Sequence, residues 1–375
     1  MRECNKRASV ARFNYANEGT AGFATIFNEE SSDWLDSNQC KDCFLPAFNY
    51  RPGGSAQYIA ALRNFDDNDP IDRFRFGFIA SSDNHKARPG TGYKEINRQE
   101  MTEAAGPSDP TGYMMSFREG DGVYAKSTAK NWTSETLPSG LPESESASSF
   151  FLTGGVVATH SNGKNRDAVW NAIKRKEVYA TSGPRILLWF DAEIQSESLV
   201  MGGEVNSNQS PVFTVKAAGS LKQKPGCPDY SNNGLTQDRL EKICNSECYN
   251  PSNERRVISR IEVIKILPQQ FENEPVEGLV ADVWKTFPCN SESCQISFED
   301  EQFSIGRRDA VYYVRAIEEP SPTLSADPLG CEFDENGKCI KTEICRVGVN
   351  ENREECTSPA EHRAWSSPIY VNYSS

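Results

Sequence analysis

The run Arg73-Phe74-Arg75-Phe76-Gly77-Phe78-Ile79-Ala80-Ser81-Ser82-Asp83-Asn84-His85 decides how this chain is read. Its first eight residues are the short apolar stretch of a buried strand, and it stops in small polar residues. Asp83 and His85 stand two apart at that stop. If extended backbone continues through them, both side chains project to one side. A carboxylate oxygen and an imidazole nitrogen then converge as two ligands for a divalent ion such as Zn²⁺, Mn²⁺ or Fe. Ser-Ser-Asp-Asn-His is also ordinary turn sequence, so the residue types alone leave both readings open.

Working outward, a second apolar run covers 150–159, and a helix is predicted over 166–176. Asn165 suits its N-cap, Asp167 its first turn, and Lys174, Arg175 and Lys176 its last, matching the helix dipole at both ends. Val169, Trp170 and Ile173 give it an apolar face. After Thr181-Ser182-Gly183-Pro184 a third strand follows over 185–190. Strand, helix, strand is the rhythm of a parallel sheet or βα barrel. In such barrels active sites assemble at the C-terminal ends of the strands, where Asp83 and His85 lie. Upstream, Ser55 can cap a helix in which Tyr58, Ile59, Leu62 and Phe65 recur at helical spacing. Residues 86–149 are polar and rich in Gly, Pro, Ser and Glu, too long for an ordinary connection, and read as a functional loop or inserted segment.

Beyond Met201-Gly202-Gly203 the character changes. Strands are predicted over 212–217, 258–267 and 310–317, separated by long cysteine-bearing loops, as in a β-sandwich. The expected fold class is α/β plus β. A βα region over 1–198, interrupted by the 86–149 insertion, precedes a cysteine-rich, β-sandwich-like domain over 199–375.

The 375 residues include 40 basic and 53 acidic side chains, a net charge of −13 without any strong basic cluster. That balance argues against nucleic acid as a partner. No run of eighteen apolar residues exists, so no transmembrane helix is expected, and the charged N-terminus lacks the apolar stretch of a signal peptide. Twelve cysteines nonetheless suggest an oxidising, extracytoplasmic compartment. Five close pairs stand out: Cys40/Cys43, Cys244/Cys248, Cys289/Cys294, Cys331/Cys339 and Cys345/Cys356, leaving Cys4 and Cys227. Disulfides or plain thiols account for these more simply than zinc held by cysteines.

The segment Phe76–His85 with Arg88-Pro89-Gly90 resembles the last metal motif of the polymerase and histidinol phosphatase (PHP) superfamily. Gly154-Gly155, Asn165-Arg166-Asp167-Ala168-Val169-Trp170, the run from Tyr179 through Thr-Ser-Gly-Pro-Arg to Ile186, and Trp365-Ser366-Ser367-Pro368-Ile369 are similar to the domain-of-unknown-function family 3604 within it. The resemblance implies a partial, distorted PHP-type βα barrel over 1–198, a metal cluster, and hydrolysis of a small-molecule phosphoester or related ester. PHP proteins begin with a strand ending in His-x-His. This chain has three histidines, His85, His160 and His362, and no His-x-His. By that comparison it corresponds to a C-terminal portion, active weakly or not at all alone. The remaining ligands, and the export signal, would be encoded ahead of it or in a separate N-terminal half.

The expected metal ligands are therefore Asp83 and His85, with His160 as a possible third. Arg88, Arg166 and Arg185 are candidates for holding an anionic substrate, since arginine binds carboxylate and phosphate bidentately. His362, between Glu361 and Arg363, reads as solvated, and Ser182 as a serine without a partnered base. The alternative function is an exported, disulfide-supported binding or scaffold protein without catalysis.

Overall fold

The computed structural model describes residues 56–65, 73–81, 155–276, 278–324, 331–333, 335, 339–342 and 357–374. The expected insertion over 86–149, the Cys40/Cys43 and Cys345/Cys356 pairs, Cys4 and the Ser55 cap lie outside them.

The chain is strand-rich. A large sheet contains β1 (Val156–Thr159), β2 (Val178–Thr181), β5 (Glu204–Ser207), β9 (Ile258–Ile266), β10 (Val280–Ser291), β12 (Ala310–Glu318), β17 (Arg363–Ser366) and β18 (Ile369–Tyr373). Its path runs β1-β2-β17-β12-β18-β5, with β9 also on β12 and β10 on β9. A smaller sheet has the order β11-β6-β3-β4, from β3 (Leu187–Ile194), β4 (Glu197–Val200), β6 (Val212–Ala218) and β11 (Ser293–Glu299). Among the described residues three ribbons add to these strands: β7 (Leu221–Gln223) with β8 (Pro251–Arg255), β13 (Ser321–Leu324) with β16 (Thr357–Ala360), and β14 (Cys331–Phe333) with β15 (Cys339–Thr342).

The smaller sheet packs face to face on the large one. β3 alternates buried and exposed positions, as a strand with one covered face must. Its Leu188 and Phe190, with Phe213 and Val215 of β6, form one buried cluster with Ile261, Val263, Tyr312, Val314, Ile369 and Val371 of the large sheet. β12 is buried along its whole length. Its other face meets α1 (Ala56–Ala61) in a second cluster, where Ala60 and Ala61 pack with Ile264, Ile266, Val311, Tyr313 and Tyr370. The strands expected over 212–217, 258–267 and 310–317 appear as β6, β9 and β12 with shifts of one residue.

Four expectations need correction. First, the strand–helix–strand unit is not parallel. β1 and β2 flank α2 (Arg166–Lys174) but pair antiparallel, from Val156↔Thr181 to Thr159↔Val178, and the third strand, β3, belongs to the other sheet. Arg175 and Lys176 reverse the chain directly after α2, the latter at φ +61°, so the return is too tight for a crossover. Second, pairing runs across the expected boundary at 198/199: β2 pairs with β17, and β3 with β6. Third, residues 74–81 take no regular strand pairing. Side-chain hydroxyls replace the ladder: Tyr370 accepts from Phe76 N–H and donates to its carbonyl, and Ser367 accepts from Phe78 N–H while donating to Val178 O. Fourth, α2 is capped as expected, with the Asn165 side chain accepting from Ala168 N–H. Yet Trp170 is 62% and Ile173 41% exposed, and Ala172 is the buried residue of the helix.

Among the described residues, no helix is long and apolar enough to cross a membrane. Disulfides join Cys227 to Cys248 and Cys289 to Cys294, compatible with an oxidising compartment. The second joins two of the cysteines that are close in sequence, while the first joins Cys227 to a cysteine 21 residues away.

Candidate functional site

Asp83, His85 and Arg88 lie outside the described residues. The chain leading to them is described up to Ser81, and its course is informative. Gly77 lies so close to the large sheet that a Cβ there would come within 2.8 Å of Ser367 Oγ and 3.3 Å of Val178 Cγ2. A Cβ on Gly155 would stand 2.8 Å from the Ser81 carbonyl oxygen and 3.3 Å from that of Thr181. Segment 77–81 therefore accompanies β2 in the same direction, Gly77 at its start and Ser81 at its end. Glycine at 155 permits that approach because any side chain would strike backbone oxygen.

The same end of β2 carries the turn Thr181-Ser182-Gly183-Pro184-Arg185. It is pinned by a buried hydrogen-bond chain. Ser182 N–H donates to Arg363 O, and Arg363 N–H donates to Ser182 Oγ, both at 3.0 Å. Ser182 Oγ also lies 3.0 Å from His362 Nδ1, and His362 Nε2 lies 2.9 Å from Thr323 Oγ1. The Thr323 hydroxyl also donates to the Ser321 carbonyl at 3.0 Å. His362 is 1% exposed, which corrects the solvated reading, and Ser182 does have an imidazole partner. The hydroxyl is committed to both neighbours, so the pair acts as a strut that fixes the turn to β17. His362 was not legible as its partner, because it is 180 residues from Ser182 and meets it only through the β2–β17 pairing.

Arg185 is exposed at the mouth of this turn, its guanidinium 3.8 Å above the Tyr249 ring. Stacking on the ring holds the planar group in place. Arg166, the first residue of α2, is exposed.

His160 lies elsewhere. Its backbone N–H donates to Glu177 O, at the end of the β1/β2 ladder opposite Gly155. At roughly 3.4 Å per extended residue, the five steps from Gly155 place it about 17 Å from the Ser81 end. Its ring sits between Tyr179 and Trp189, and Nε2 donates to Leu188 O at 2.8 Å. One ring nitrogen is thereby used. The structure brings Arg185 to the end of β2 that Ser81 reaches, and does not bring His160 there.

An open cleft of about 370 Å³ is lined by Glu197, Glu204, Val205, Asn206 and Asn372. Against burial, which would raise it, hydrogen bonds from Asn372 and Arg75 hold the Glu204 carboxyl below its usual pKa. A negatively charged lining suits an anionic ester poorly.

Among the described residues, one group of three metal-ligating side chains converges, Cys227, Cys244 and Cys248. It could hold a metal, and it was legible only as cysteines in loops.

Residues 62–223 match the family model described as "Protein of unknown function (DUF3604)", which supports placing that segment in the family. No curated protein and no solved structure matches the chain. The matched segment contains Asp83, His85, His160, Arg166, Ser182 and Arg185. It ends before Cys227.

Proposed function

We propose that the segment bearing Asp83 and His85 belongs to a metal-dependent, PHP-type hydrolase acting on a small-molecule phosphoester or related ester. The observation that supports this reading is the meeting of Ser81 with Gly155 and Thr181. Residues 77–81 and β2 run in one direction and finish at one edge. Asp83 comes two residues after Ser81, and the Ser182–Arg185 turn comes directly after Thr181. Gathering functional residues at the C-terminal ends of neighbouring parallel segments is how βα enzymes build their sites.

An acid and an imidazole fit a divalent ion, which when bound polarises a phosphoryl oxygen and lowers the pKa of bound water to about 7. In this reading Arg185, held by Tyr249, steadies the anionic substrate, with Arg88 and Arg166 as further candidates. Catalytic zinc takes three protein ligands and keeps one open position. Asp83 and His85 supply two, and His160 stands at the far end of β1. Metal retention is therefore weak and turnover slow in this chain alone.

The test is hydrolysis of bis(p-nitrophenyl) phosphate by the purified chain with added Mn²⁺ or Zn²⁺, beside Asp83→Asn and His85→Gln. The expected result is slow, chelator-sensitive hydrolysis lost in both variants. Equal metal uptake and equal hydrolysis in all three proteins would overturn the assignment of these ligands. Absence of both metal and hydrolysis would turn the reading to an extracytoplasmic binding protein without catalysis.

A further inference from the structure

Outside the family-matched segment, residues 224–250 fold into a short element of two helices, α3 (Asp229–Gly234) and α4 (Gln237–Cys244), closed at its base on the β7/β8 ribbon. We propose that its three cysteines form a redox-gated zinc site: with the Cys227–Cys248 disulfide reduced, Cys227, Cys244 and Cys248 bind one Zn²⁺ through three thiolates. The proposal does not rest on the hydrolase reading.

The first argument is geometric. Cys244 Sγ lies 3.4 Å from Cys248 Sγ and 4.0 Å from Cys227 Sγ. Three thiolates around one zinc, each about 2.3 Å from the ion, stand about 3.8 Å apart. The two separations from Cys244 bracket that spacing. Only the bonded pair must open.

The second argument sets metal binding against simple thiol–disulfide exchange. Attack on a disulfide requires the incoming sulfur to lie on the extension of the S–S axis, where its distances to the two sulfurs would differ by a bond length, about 2 Å. Here they are nearly equal. Cys244 flanks the bond, where a shared ligand atom belongs and an attacking one does not.

The third argument is that the loop keeps its shape without the disulfide. Gly226 N–H donates to Glu247 Oε2 at 2.8 Å, Lys224 N–H to Asn250 O at 2.7 Å, and Asn250 Nδ2 to Pro225 O at 3.0 Å. Cys244 is fixed separately, as the last residue of a helix capped by Thr236 and ended by Asn245 in the left-handed conformation. Its side chain is buried, while Cys227 and Cys248 are half-buried and reachable.

The chemistry balances. A dithiol reductant supplies two electrons and two protons, converting the disulfide to two thiols and itself becoming a disulfide. Zinc then displaces three protons from three thiols, so binding strengthens as pH rises. Tyr249, next to Cys248, carries the Arg185 guanidinium on its ring, which places this site beside the Thr-Ser-Gly-Pro-Arg turn.

The experiment uses the full chain, oxidised or reduced with a dithiol, titrated anaerobically with Co²⁺ as the zinc probe. Sulfur-to-cobalt charge-transfer absorption is expected on reduction only, and is lost in Cys244→Ser and in the Cys227→Ser/Cys248→Ser pair. It persists in Asp83→Asn/His85→Gln, which separates this site from the proposed hydrolytic one. Because a cysteine variant can misfold, alkylation of the reduced wild-type chain is mapped by mass spectrometry with and without Zn²⁺. Joint protection of Cys227, Cys244 and Cys248 supports the site. The same absorption in the oxidised chain, its survival in folded Cys244→Ser, or unchanged alkylation of the three overturns it.

Discussion

On the side of β12 that faces the small sheet, Tyr312 and Val314 meet Phe213, which stacks between Phe190 and Phe298. On the opposite side, one residue further on, Arg315 contacts the carboxylates of Asp282 and Glu262. Arg260 continues the chain of charge from Glu262 to Glu361, with paired guanidinium–carboxylate contacts of 2.6 and 2.8 Å. Gln57 of α1 donates to Asp282 and to the Tyr313 hydroxyl. Glu262, Asp282 and Arg315 are all buried. Both sides are covered, but by different physics. Dispersion and water exclusion act on the apolar side and are non-directional, so moderate changes of shape are tolerated. Buried charges hold only while each has its partner.

The largest effect should follow Arg315→Met. It leaves the Asp282 and Glu262 carboxylates close together without the guanidinium. Burial opposes the charge on Arg315, yet Tyr313, Asp282 and Glu262 together hold its pKa above the ordinary arginine value. A loss of about 3–5 kcal/mol in urea unfolding is expected. A loss below that of the next variant would break the contrast between the two sides.

Phe213→Leu tests the apolar side. It keeps hydrophobicity and removes the middle ring from a stack of three, with an expected cost of about 1–2 kcal/mol in the same measurement.

The mildest test is Glu318→Gln, at the end of β12, where an acid is buried among groups that do not pair it with an arginine contact like those above. Its Oε1 accepts from Ser220 N–H at 2.5 Å. Burial is the main cause that pushes this carboxyl above its ordinary pKa, the Ser220 hydrogen bond opposing it. A raised folded-state pKa means the contribution to stability is full below the unfolded value, near 4.5, and is lost as pH rises through the folded value. Glu318→Gln should therefore unfold at higher urea than the parent at pH 7, with the difference shrinking to nothing as pH falls below about 4. A difference that does not change with pH would assign the effect to packing.

Much of the sandwich was legible from local pattern. β6, β9 and β12 are apolar or alternating runs long enough to announce themselves, and the Asn165 cap needs only its own turn. The 73–80 run was legible as apolar and buried, but not its hydroxyl-mediated attachment. Tyr370 and Ser367 are nearly three hundred residues away, and their hydroxyls carry no local sign of their targets. The unit expected to run from 150–159 through the helix to 185–190 was misread because β2 intervenes, and a helix after a strand fits a crossover or a tight return equally well. Asp83, His85 and Arg185 of the proposed site come from residue type and spacing alone, and the first two lie outside the described residues. Ser182 was seen as a serine without a base, since its imidazole partner arrives on β17.

What composition, periodicity and capping settle are properties that act within a few residues: which runs are strands, where α2 begins, which surfaces seek cover. Which strand lies beside which follows from burying those surfaces all at once. That packing alone placed Ser182 on His362, sent His160 to the far end of β1, and brought Cys227 to Cys248 with Cys244 alongside. Hydrogen bonds and sulfur contacts reach only a few ångströms, so their partners are chosen by the folded geometry and not by distance along the chain.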